Sequence, residues 1–192
     1  MNSIAQKFNL AVITFVFSLF IGTILPLVSQ AQTFKTEAGH VQFHSTVPLH
    51  SFTGKSEHLV GKISLADSTV DFYVDVHTLK TGIGMRDNDM METLNAEEYA
   101  FADFYGKLVT PFDPVSSQPQ EVRVRGDFSV HGVKRAITID GILQKNDEGL
   151  RIEAAWTLNM KNYDIKPPSI LFYRVSKEVD ISISATLSPV TN

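Results

Sequence analysis

The chain has 192 residues, 17 basic and 21 acidic side chains and no cysteine. That length suits one ordinary domain with a sizeable core. The missing thiols exclude disulfides, thiolate metal sites, a cysteine nucleophile and a lipid-bearing N-terminal cysteine, and the mildly acidic balance argues against nucleic acid as a partner.

The first 31 residues read as a leader. Lys7 is the sole charged side chain before Lys35, and Leu10 to Val28 is almost wholly apolar. Ser29-Gln30-Ala31 then places small residues where a signal peptidase reads. We expect a cleaved secretory signal over 1–31, a domain over 32–192, and a periplasmic or secreted product with no stable membrane span. An uncleaved anchor is the rival, because the run approaches the roughly 20 residues that cross a bilayer.

Beyond the leader the pattern is β-rich. His40 to Val47 is a first strand candidate, ended or bent by Pro48. Phe52 to Lys55 reads as a turn or a glycine-bent continuation, and Leu59 to Leu65 as a second strand. From Thr69 the alternation is clear: Val70, Phe72, Val74 and Val76 share one face, opposite Asp71, Tyr73, Asp75 and His77. Strands return at Phe101 to Val109, after a proline-rich loop at Glu121 to Val130, and at Val133 to Gln144 beyond a His131-Gly132 turn. Leu150 to Met160 follows the Asn146 to Gly149 turn. Asn162 to Leu171, with Pro167-Pro168, is irregular, and Val179 to Leu187 closes the chain as an amphipathic strand. About eight short strands joined by short turns predict an antiparallel β-barrel or a sandwich. Glycines within strands (Gly61, Gly126, Gly141) suit strands that curve round a closed wall.

One stretch breaks the pattern. In TGIGMRDNDMMETLNAEEYAFADF, Thr81 to Phe104, two turn glycines precede RDNDMMETL, which predicts about two helical turns. Asn95 and Glu98 have the spacing of an N-cap and its reciprocal partner, which predicts a second short turn of helix. Such an insert is a plug, a lid or a surface crossover.

This stretch resembles the T-G-n-x-x-R-D-x-H-L block of the YceI-like family. GDFSVHGVKRAITIDGIL is similar to the family's G-x-L-T-x-h-G-v-t-k segment, and LNMKNYDI resembles its i-n-R-x-d-F-G-i segment. The resemblance spans about residues 34 to 188. It implies a lipocalin-like antiparallel barrel with a short helical insert, exported and non-enzymatic, holding a long apolar amphiphile such as an isoprenoid quinone, a polyprenyl phosphate or a fatty-acid derivative for carriage or storage. The chain departs from the pattern at Asp89 and Met90, where the family has His-Leu, at Ala102 for proline, at Met160 or Lys161 for arginine, and at Tyr163 for phenylalanine.

Ligand-binding candidates follow. The apolar set is Phe72, Val74, Phe104, Phe128, Ile139, Trp156 and Leu158, although alternation does not say which face of each strand points inward. On the insert, Met90 and Met91 offer flexible apolar surface for a lipid chain, or packing of the insert on the barrel. Arg86 either meets a head group with its guanidinium fork or pairs with Asp87, Asp89, Glu92 or loop carbonyls. No catalytic residue, metal site or cofactor is expected: His40 and His44 would stand about 13 Å apart in a strand, and no nucleophile elbow occurs. A homodimer is compatible with the sequence. The second function considered is a structural or stress-response barrel with a filled core that acts through a protein partner.

Overall fold

The computed structural model describes residues 32–47, 50–166 and 177–190. The expected leader, Pro48 and the Pro167-Pro168 break lie outside the described residues. Eight antiparallel strands run in chain order: β1 (Thr33–Val47), β2 (His50–Ser64), β3 (Thr69–Asp75), β4 (Phe101–Leu108), β5 (Gln120–Val130), β6 (Val133–Asn146), β7 (Gly149–Asn159) and β8 (Glu178–Pro189). Each pairs with the next, and β8 returns to β1, so the sheet closes into a barrel. A sandwich is ruled out by that closure. One helix, α1 (Gly84–Thr93), crosses between β3 and β4.

The period of two in the sequence becomes the inside and outside of the wall. Val70, Phe72 and Val74 are buried while Asp71, Tyr73 and Asp75 are not. Opposite rungs share a face, so Phe72 meets Phe104 across β3 and β4, and Phe104 meets Phe128 across β4 and β5. On the outside, Arg123 grips Asp140 with two nitrogens at 2.6 and 3.2 Å. That exposed pair links β5 to β6 and contributes little to stability.

β1 and β2 are longer than the bounds read from sequence, and of the two readings of Phe52 to Lys55 the continued strand is the one found, with a reason for its glycine. Gly54 lies opposite Phe43, and a Cβ on it would stand 2.2 Å from the Phe43 ring. The missing side chain makes room for an aromatic ring on the inner wall. At the other end of the expected range, β3 stops at Asp75 instead of His77. The Asp75 carboxylate accepts from the His77 backbone at 2.9 Å, and this caps a 3₁₀ turn at Val76–Thr78. The His131-Gly132 turn has positive φ at both residues, 55° and 71°, which matches the twist of a two-residue hairpin.

Barrel connectivity places the links β1–β2, β3–β4, β5–β6 and β7–β8 at one end. The opposite end is packed solid: Phe34, Leu150 and Leu187 are at most 1 % exposed.

Candidate functional site

The barrel encloses a cavity of about 400 Å³, within the range of small-molecule sites. Every strand contributes an apolar side chain to its wall. Of the predicted residues, Phe72 and Val74 line it from β3, Phe104 from β4, Phe128 from β5 and Ile139 from β6. Trp156 and Leu158 line it from β7. The inward faces are therefore the apolar ones on all these strands. Phe43 and Phe52 also line the wall, packed edge to face with ring centres 6.0 Å apart. They were not singled out from sequence: Phe43 lay in a strand candidate whose inward face was not assigned, and Phe52 at the start of a stretch that read as a turn or a glycine-bent continuation.

α1 covers the open end. Its cavity-facing residues are Arg86, Asp89, Met90, Thr93 and Leu94, the spacing of a single helical face. Met90 is thus where the sequence placed it. Met91 is a correction: it stands about 100° further round the helix and does not line the cavity, although it packs against the core. Met85 points outward and is 77 % exposed.

The helix ends differently from expectation. Asn95 is not an N-cap. It sits in the left-handed region at φ 48°, its N–H donates to the Glu92 carbonyl, and the Ala96 N–H donates to the Met91 carbonyl, both at 3.0 Å. That pair of bonds is a Schellman C-cap. The Asn95–Glu98 contact exists, but as a side-chain bond of 2.7 Å across the turn that follows. The Asn-x-x-Glu spacing is common to both arrangements, so sequence alone could not separate them.

Asp87 anchors the start of α1. Its carboxylate accepts from the Thr81 hydroxyl at 2.5 Å and the Thr81 N–H at 2.8 Å. Those bonds, the hydroxyl first, hold its pKa below the usual aspartate value. Arg86 forms no ion pair among the described residues. Instead its guanidinium carbon lies 4.7 Å from the centre of the Phe52 ring. The carboxylate pairing weighed from sequence is absent there, and the cation rests on the aromatic wall at the barrel mouth.

A second cover comes from the β7–β8 link. Met160–Tyr163 forms a 3₁₀ turn, capped by the Asn159 carboxamide oxygen, and Met160 and Ile165 line the cavity. The His131 ring nitrogen Nδ1 donates to the Tyr163 carbonyl at 3.1 Å, and Arg135 Nε donates to the Asn162 carbonyl at 2.8 Å. Tyr163 is buried against Phe128, ring centres 5.7 Å apart, and burial pushes its phenol pKa up. Sequence reasoning marked LNMKNYDI as a motif without giving it this role. Its conspicuous mixture of Asn, Tyr and Asp beyond a strand was the available signal.

The two histidines of β1 take separate partners on β2. His40 meets Glu57 at 2.8 Å and His44 meets Thr53 at 3.1 Å. Among the described residues no three His, Asp or Glu side chains are grouped to hold a metal ion.

The sequence pattern of the YceI-like domain matches residues 32–187. Solved structures share the fold. A domain from Saccharophagus degradans, described as polyisoprenoid binding and implicated in plant cell wall breakdown, superposes with a TM-score of 0.67 at 18% identity, covering 83% of this chain and 99% of its own. Burkholderia cenocepacia BcnA gives 0.63 at 16% identity, covering 80% and 96%. The Campylobacter jejuni YCEI protein gives 0.52 at 13% identity, covering 90% and 93%. No curated protein matches the chain.

Proposed function

The chain belongs to the YceI-like domain family, and from that premise we propose that it binds a single-chain apolar amphiphile inside its barrel, for carriage or storage outside the cytoplasm. One observation supports this above the others: a cavity of about 400 Å³ with apolar side chains from all eight strands. An aliphatic or isoprenoid chain suits that lining.

The energetics favour a chain over a polar ligand. Each buried CH₂ contributes about 0.8 kcal/mol, so ten methylenes outweigh one hydrogen bond of about 1 kcal/mol several times over. The printed description of the S. degradans domain as polyisoprenoid binding agrees with an isoprenoid occupant. Carriage outside the cytoplasm rests on the leader read in residues 1–31, and mass spectrometry of the N-terminus in cell fractions tests it. A protein retaining Met1 in the membrane fraction overturns cleavage. A filled barrel working through a protein partner is the weaker reading, because the interior is not filled.

The test is lipid extraction and native mass spectrometry of freshly purified protein. A bound mass equal to a single-chain lipid is expected. Barrels that are reproducibly empty and take up no added lipid refute the proposal.

A further inference from the structure

Among the described residues, the inward strand positions that line the cavity are apolar with two exceptions that have no partner. Ser45 Oγ and Trp156 Nε1 are both buried without a hydrogen bond, and both residues line the cavity. Ser45 as a whole is only 2 % exposed. The remaining orphan among the described residues, Ser129 Oγ, alternates with the inward Phe128 and Val130 and so belongs to the other side of the wall. The other buried serine, Ser56, is bonded to the Thr78 hydroxyl at 2.6 Å.

The two orphans are close in the barrel lattice. Ser45 is in the rung Ser45–Val179–Leu158 across β1, β8 and β7, and Trp156 is in the adjacent inward rung Phe43–Ile181–Trp156. Both rungs are near the covered end of the barrel. Further from that end the same three strands present Val41, Ile183 and Ala154, and beyond them Ile152 and Ala185, then Leu150 and Leu187. Two polar atoms therefore mark two adjacent rungs of the wall, with apolar side chains on the inward rungs of these strands below them. The indole is held there by Phe128, with ring centres 5.7 Å apart at 73°.

An indole N–H can only donate, and a serine hydroxyl can donate. A buried donor left unmatched costs more than a matched one returns, so a ligand that supplies an acceptor at this level is favoured over one that does not. A charged head at this depth would need a counter-charge, and the single cation lining the cavity among the described residues, Arg86, is on the covering helix above. We infer that Ser45 and Trp156 are the specificity-determining residues of the cavity: they receive an uncharged carbonyl oxygen, as in an ester, amide or quinone, at the end of a chain that runs down toward Leu150 and Leu187. This deepens the lipid-binding function proposed above and rests on it.

Methyl palmitate and nonadecane, matched in heavy atoms, separate the two claims when each competes with an anthroyloxy-labelled stearate on the delipidated full chain. Wild type is expected to prefer the ester by about ten-fold, the worth of one or two net hydrogen bonds. Ser45→Ala and Trp156→Phe should each cut that preference to about three-fold while nonadecane affinity stays within about two-fold. Trp156 is the sole tryptophan, so its emission should shift to longer wavelength with the ester and not with the alkane. Equal affinity for both probes in wild type, or equal losses for both in the variants, overturns the inference while leaving lipid binding intact. Failure of both probes and of the stearate refutes the underlying function. Unchanged near-ultraviolet circular dichroism of Ser45→Ala secures that any loss is local.

Discussion

Gly61 gives the sharpest test of how the cavity wall is built. It lies opposite Phe72 on the next strand, and the three atoms nearest to an added Cβ are all in that ring, at 2.0, 2.3 and 2.7 Å. Gly61→Ala therefore forces the ring to move, and the direction open to it is the cavity that Phe72 lines. Overpacking of this kind costs about 1–3 kcal/mol. Against it, replacing glycine at a compatible backbone position restricts the unfolded chain and returns about 0.4–1 kcal/mol. The net expectation for Gly61→Ala is a loss of about 1–2 kcal/mol in urea unfolding, accompanied by weaker lipid retention as the ring enters the cavity. In a Phe72→Ala background the clash is gone, and the same Gly61→Ala change should stabilise by about 0.4–1 kcal/mol. A double-mutant cycle measures that reversal directly. If Gly61→Ala costs the same with and without the Phe72 ring, the glycine is there for some reason other than ring clearance and the account of the wall is wrong.

Three other outcomes are expected. Met90→Ser should shorten lipid residence several-fold, whereas Met91→Ser should leave residence within about two-fold and act on stability, because Met90 alone of the two lines the cavity; stopped-flow release of a labelled fatty acid compares them, and the opposite order refutes the helix orientation. Asp87 has a folded pKa below its unfolded value of about 3.9, so its hold on Thr81 is complete above that value and is lost as pH falls through the folded one; lipid release should be flat between about pH 5 and 8 and rise only below about pH 4, and a rise already present between about pH 5 and 8 refutes the anchoring role of Asp87. Asn95→Gly should be tolerated at φ 48°, while Asn95→Val should cost about 1–2 kcal/mol by thermal melting, the strain of a branched residue in the left-handed region; equal stability of the two would remove the C-cap assignment.

Much of the wall was legible because a strand with one apolar face states its own period. Val70 to Val74 and Val179 to Leu187 needed no further information, and the helix over RDNDMMET was visible as a polar break in a β pattern. What was not legible depends on neighbours across the barrel. Gly54 reads as a turn or a bent strand alike until Phe43 is placed opposite it, and Asn95 looks like an N-cap until its φ is known. Inside and outside of a barrel are both defined by closure, a property of eight strands together. Ser45 is the extreme case: a serine between Gln42 and Val47 gives no sign of being buried, and nothing in its own strand says that its hydroxyl is without a partner.

Seven of the eight strand pairings join neighbours in sequence, and the eighth joins the first strand to the last. A folding chain can zip the seven in order, but the seam between β1 and β8 closes a loop as long as the domain and has to come late. Until it does, both strands present open edges on which other chains can pair. The rungs Ser45–Val179 and Phe43–Ile181 belong to that seam, with Trp156 one strand away. An occupant at that level, as proposed above, would touch both sides of the joint. A ligand bound there would lower the rate at which the seam reopens, so the lifetime of the folded barrel and the residence of the proposed ligand would lengthen together.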